Sequence, residues 1–180
     1  MNEVQPIRDP EMIDRMKQEL AKNGSRDSFL FTFGINTGLR ISDILELTVG
    51  DVRGKTHVTI KEQKTDKRKR FKLHHELREA IQDYTKGMAD TDYLFKSKRG
   101  NNPIKRVQAY KILNRAAKNL GVEEIATHTM RKTFGYHFYK KTGDIAMLQE
   151  IFNHSAPSVT KRYIGITQDE IDEVIDDFYL

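Results

Sequence analysis

His128 and Arg131 stand in the tetrapeptide H-T-M-R, His154 follows in F-N-H-S, and Tyr163 lies nine residues further on in V-T-K-R-Y-I. Two histidines, an arginine and a tyrosine suffice for attack on a phosphodiester without a metal ion. Arginine presents a permanently charged planar fork that matches phosphate oxygens. Histidine donates or accepts a proton near neutral pH. A phenol becomes a covalent nucleophile when neighbours assist its deprotonation, a need set by its ordinary pKa of about 10. His128 and Arg131, three residues apart, share one face of a helix. Thr127 or Thr129 can cap that helix, which puts His128 near its positive end, a favourable place for phosphate.

Taken singly, each of these residues has an ordinary structural reading. Tyr163 is one of seven tyrosines, and a lone H-x-x-R is a weak signal. Arg40, after the Thr37-Gly38 turn, could simply pair with Asp43 three residues on. Order and spacing set the group apart.

The elements that must carry these groups belong to a chain of 180 residues, enough for one domain with a real core. It has no cysteine, which excludes disulfides and thiolate metal sites. No apolar run approaches a membrane span and the N-terminus lacks a signal-peptide pattern, so a cytoplasmic protein is expected. The net charge is +5, yet residues 168–180 contain six acids and no Lys or Arg, leaving +11 on the rest. A body that basic suits a polyanionic partner such as nucleic acid.

Helical periodicity dominates. Asp9-Pro10 predicts a helix start, with Met12, Ile13, Met16 and Leu20 on one face and Asn23-Gly24 as the stop. Residues 27–36 are apolar nearly all round and predict a buried helix, and 42–47 a short one after the T-G turn. The period then changes: 57–61 and 68–73 predict an antiparallel hairpin with a strongly basic tip. Helices resume around Leu77–Tyr84, 105–120, 130–140 and 145–152, with a short one carrying Tyr163. The 96–102 segment predicts a mobile loop. The expected class is mainly α with a small antiparallel β-sheet (α+β). Thr167 and Glu170 predict a capping box, after which Ile171, Val174, Ile175 and Phe178 mark one face of a terminal helix. That face could pack on its own body or on another chain.

Together these motifs resemble the catalytic domain of the tyrosine recombinases, the family of phage and transposon integrases. N-T-G-L-R-I-S-D-I-L-E-L is similar to the family's first arginine motif at Arg40, H-T-M-R to its His-x-x-Arg motif, and F-N-H-S with T-K-R-Y to the second histidine and the nucleophile. The resemblance implies a catalytic set of Arg40, Lys64, His128, Arg131, His154 and Tyr163. Lys64 comes from the basic hairpin, where Lys61 and Lys67 compete for the same role. Asn153 stands where many members have glycine, and Lys132 where histidine is frequent.

The implied reaction is site-specific recombination of double-stranded DNA through a 3′-phosphotyrosine, with no metal and no cofactor. Alternatives are a non-catalytic DNA-binding protein on the same fold and relaxation of the type IB topoisomerase kind. The resemblance also implies a catalytic domain over 1–166 and a helix over 167–180 that docks on a neighbouring protomer. The partners it implies are a homo-tetramer on synapsed DNA, monomeric in free solution, and accessory DNA-bending proteins. The family's usual N-terminal DNA-gripping domain has no counterpart here, so the chain reads as a fragment of a longer integrase.

Overall fold

The computed structural model describes residues 4–61, 68–122, 125–166 and 168–179. Among them the chain runs α1 (Pro10–Ala21), α2 (Ser25–Thr37), α3 (Ile41–Leu45), α4 (Val49–Val52), β1 (His57–Lys61), β2 (Arg68–Lys72), α5 (His75–Tyr84), α6 (Arg106–Asn119), α7 (Thr127–Thr142), α8 (Ile145–Phe152), α9 (Pro157–Ile164) and α10 (Gln168–Asp176). The expected α+β class is the one observed.

Local chemistry sets the helix ends. Asp9 caps α1 by accepting from the Glu11 N–H at 2.9 Å, with Pro10 in the first turn. Asp144 caps α8 by accepting from the Met147 N–H at 2.8 Å. Pro157 opens α9, and Gly165 closes it in the left-handed conformation at φ 74°. Helix α7 begins at Thr127 rather than near Met130. The Ala126 N–H donates to Thr129 Oγ1 at 3.1 Å, which satisfies a backbone donor at that end. His128 therefore lies in the first turn.

β1 and β2 pair antiparallel, with Val58 opposite Phe71 and Ile60 opposite Lys69. Val58 and Ile60 are buried and their neighbours point outward, the alternation a one-sided sheet requires. The hairpin tip, including Lys64 and Lys67, lies outside the described residues, as does Thr167 of the expected capping box. The 96–102 segment is closed at its base by a bridge between Lys96 and Pro103 and by the Ser97 N–H donating to Asn102 O at 2.8 Å.

The main core draws on α1, α2, the sheet, α5, α6 and the start of α7, with Phe29, Phe33, Tyr84 and Phe95 in ring contact. A smaller cluster forms around buried Leu148, Phe152 and Ile164. Helix α7 serves both, through Met130 in the first and Phe134 and Phe138 in the second.

Candidate active site

Arg131, buried on α7, donates from Nη1 to Gly38 O at 2.6 Å and from Nη2 to Phe152 O at 2.9 Å. Its guanidinium also lies over the Phe152 ring, 4.1 Å from the centroid. Gly38 ends α2 with φ 63°, just before Arg40, and a Cβ there would meet Phe134 Cδ1 at 2.4 Å. Only glycine fits that turn without displacing the ring. Phe152 ends α8, just before His154. One guanidinium thus ties the turn that delivers Arg40 to the turn that delivers His154.

Arg40 itself is the partly buried N-cap residue of α3. Asn153 ends α8 in the left-handed conformation at φ 54°, and the next N–H, of His154, donates to Gln149 O at 3.0 Å. Asparagine tolerates this conformation better than other non-glycine residues, so Asn153 meets a backbone demand that glycine commonly serves.

His154 is partly buried, with Nδ1 3.0 Å from Thr160 Oγ1. Its pKa is pushed down to about 4, first by burial and then by the charges of Arg131, Arg40 and Lys69. The ring is neutral at pH 7. The Thr160 hydroxyl can donate to Ala156 O at 3.5 Å; when it turns to Nδ1 instead, the ring proton resides on Nε2, which makes that nitrogen a hydrogen-bond donor. The same three cations define a positive potential suited to a phosphate.

Tyr163 is half-buried on α9. Its Oη lies 3.3 Å from Nδ1 of the exposed His128. The ring meets His154 edge-on, with centroids 5.1 Å apart, and Phe152 likewise at 5.6 Å. Gly135 on α7 makes this closeness possible: a Cβ there would come within 2.7 Å of both Ile164 and the Phe152 ring.

Five of the six residues named from the sequence therefore surround one locus. Arg40 joins it through the charge it exerts on His154, and Arg131, His128, His154 and Tyr163 join it by contact. Lys64 lies outside the described residues, and Lys61 is exposed at the end of β1. Three contributors had no role in the sequence reading. Thr160 is buried against His154. Lys69 on β2 donates to Glu150 O at 3.1 Å and to Ile151 O, a cation at the negative end of α8. Lys132 is buried with Nζ 5.0 Å from the centroid of the Tyr163 ring. Its only sequence signal was a lysine where histidine is frequent.

Residues 8–170 match the model of the phage integrase family. The chain belongs to that family. It is 56% identical over 169 residues to the Bacillus subtilis protein named "Probable integrase/recombinase YoeC", covering 94% of this chain and 93% of the relative. It is accordingly an enzyme of the tyrosine recombinase type. The chain spans about half the length of the XerC and XerD tyrosine recombinases it also matches. Among solved structures, XerA recombinase superposes with a TM-score of 0.79 at 20% identity, over 98% of this chain and 64% of that one. The Tn1549 transposon integrase in complex with a circular intermediate DNA superposes with a TM-score of 0.76 at 19% identity, over 99% and 67%. At that identity the likeness establishes the tyrosine recombinase catalytic-domain fold.

Proposed function

We propose that this chain cleaves and rejoins double-stranded DNA at specific recombination sites through a 3′-phosphotyrosine at Tyr163. The observation that carries the reading is the approach of Tyr163 Oη to His128 Nδ1 at 3.3 Å, beside Arg131 and His154. In cleavage the Tyr163 Oη–P bond forms and the P–O5′ bond breaks. The phenol proton passes to His128, and O5′ takes a proton from a general acid, the role that resemblance gives to Lys64. Arg40 and Arg131 offset the charge on the non-bridging oxygens, and Nε2 of neutral His154 donates to one of them. Rejoining reverses these steps on a partner strand. The phosphotyrosine conserves the bond energy, so neither metal nor cofactor takes part.

A polyanionic substrate is also supported by a surface hollow of about 810 Å³ lined by Arg26, Lys98, Arg99 and Lys105 among others. The DNA-bound Tn1549 integrase lends further support. Tyr163→Phe incubated with a pool of nicked duplexes of randomised flanking sequence provides the test. A denaturant-stable protein–DNA adduct formed by wild type and lost in Tyr163→Phe is expected. No adduct with any duplex would favour the non-catalytic DNA-binding alternative, and relaxation of supercoiled plasmid without strand exchange would favour the topoisomerase one.

The proposal extends to assembly. Val174 and Ile175 on α10 and Phe178 just beyond it are 68%, 60% and 67% exposed, so this face is available to a neighbouring protomer in a tetramer on synapsed DNA. Truncation after Ile166 is expected to leave the melting temperature nearly unchanged and to abolish synapsis in a gel-shift assay. Normal synapsis by the truncated chain would sink the docking role.

A further inference from the structure

We propose that Lys132 is a positioning residue for the nucleophile, holding the Tyr163 ring from its face and favouring the phenolate as the Oη–P bond forms. The inference rests on Tyr163 being the nucleophile. Lys132 is 3% exposed, and its ammonium lies 5.0 Å from the Tyr163 ring centroid. The face of an aromatic ring attracts a cation through its quadrupole. The attraction grows when the ring becomes a phenolate, because a net negative charge then faces the ammonium. A cation held there lowers the free energy of the ionised nucleophile more than that of the neutral phenol.

The surroundings divide the work. His128 on α7 faces the phenol oxygen and accepts its proton. His154, from the turn after α8, meets the ring edge-on and is neutral at pH 7. Arg131, beside Lys132 on α7, spans Gly38 O and Phe152 O. Lys161 and Arg162 precede Tyr163 on α9 itself. Lys132 exchanges no proton in this scheme.

Lys132→Met keeps the length and removes the charge, while Lys132→Arg keeps the charge. Cleavage of the nicked duplex by the full chain is measured from about pH 6 to about pH 10, with melting curves as the check on folding. Lys132→Met is expected to cleave roughly ten- to thirtyfold more slowly near neutral pH. The deficit should close as pH approaches the phenol's own pKa, and Lys132→Arg should recover most of the rate. A duplex with sulfur in place of O5′ has a leaving group that needs no proton, and the Lys132→Met deficit should persist on it.

Wild-type cleavage by Lys132→Met overturns the proposal, as does a deficit equal at every pH. Disappearance of the deficit on the sulfur duplex also overturns it and makes Lys132 the general acid. Should Lys132→Met fold poorly, Lys132→His decides, because an imidazole loses its charge above about pH 6.5. Its deficit must then open between about pH 6 and about pH 8, and a flat ratio to wild type overturns the proposal. An adduct surviving in Tyr163→Phe overturns the nucleophile assignment instead.

Discussion

The main core and the cluster beneath Tyr163 share helix α7 but differ in depth. The first buries side chains from helices spread across the chain and stacks Phe29 on Tyr84 at 4.3 Å and on Phe95 at 5.8 Å. The second has Leu148, Phe152 and Ile164 as its fully buried members among the described residues, ringed by partly exposed aromatics. Stability follows apolar area removed from water, so the second cluster is the weaker. The division matches the proposed chemistry. Arg131 and His128 sit on the helix anchored in the main core, whereas His154, in the turn after α8, and Tyr163, on α9, rest on the smaller cluster. Phosphate-binding arginines need fixed geometry. A nucleophile that must attack and later be released is better carried on a segment of lower local stability.

Paired truncations test that difference most strongly. Phe31→Ala and Phe152→Ala each remove a ring with no exposure, at a cost of about 3–5 kcal/mol. Phe31→Ala should lower protection from hydrogen exchange throughout the chain. Phe152→Ala should lower it chiefly in α8 and α9 while abolishing adduct formation, because Arg131 and Tyr163 both lean on that ring. Uniform loss in both variants would erase the distinction between the clusters.

A smaller effect is expected from Gly135→Ala, whose new methyl would press on Phe152 and Ile164. Overpacking of this kind costs about 1–3 kcal/mol. Here it should tilt α9 away from α7, so cleavage falls more than the melting temperature does. Equal loss of both would mean that the two clusters move as one unit.

The smallest effect is a pH response. The pKa of His154 is about 4 in the folded chain against an ordinary 6.5. The unfolded chain therefore takes up this proton first, and stability present above about 6.5 is lost as pH falls toward 4. The melting-temperature gap between wild type and His154→Gln should narrow from about pH 7 to about pH 4.5. A constant gap would show that the site is wetter than its packing implies.

Much of this site was legible because its signals are local. His128 and Arg131 fall on one face by helical spacing, the Thr37-Gly38 turn announces Arg40, and Tyr163 follows His154 at a fixed interval. The basic hairpin was legible as well, from its change of period. The start of α7 was legible in its capping threonine, Thr129, but not in its boundary, which the apolar pattern put near Met130. Nor was the role of Asn153, which is set by a backbone angle.

By itself the sequence determined the helical class, the small hairpin and the family, and it named the candidate site residues, because periodicity, capping residues and motif spacing act over a few residues. Tertiary structure alone decided that Arg131 joins the Gly38 and Phe152 turns, that Gly135 admits α9, and that Lys132 faces Tyr163. Those are contacts between helices whose crossing depends on how side-chain volumes fill a shared space, and no local pattern encodes that.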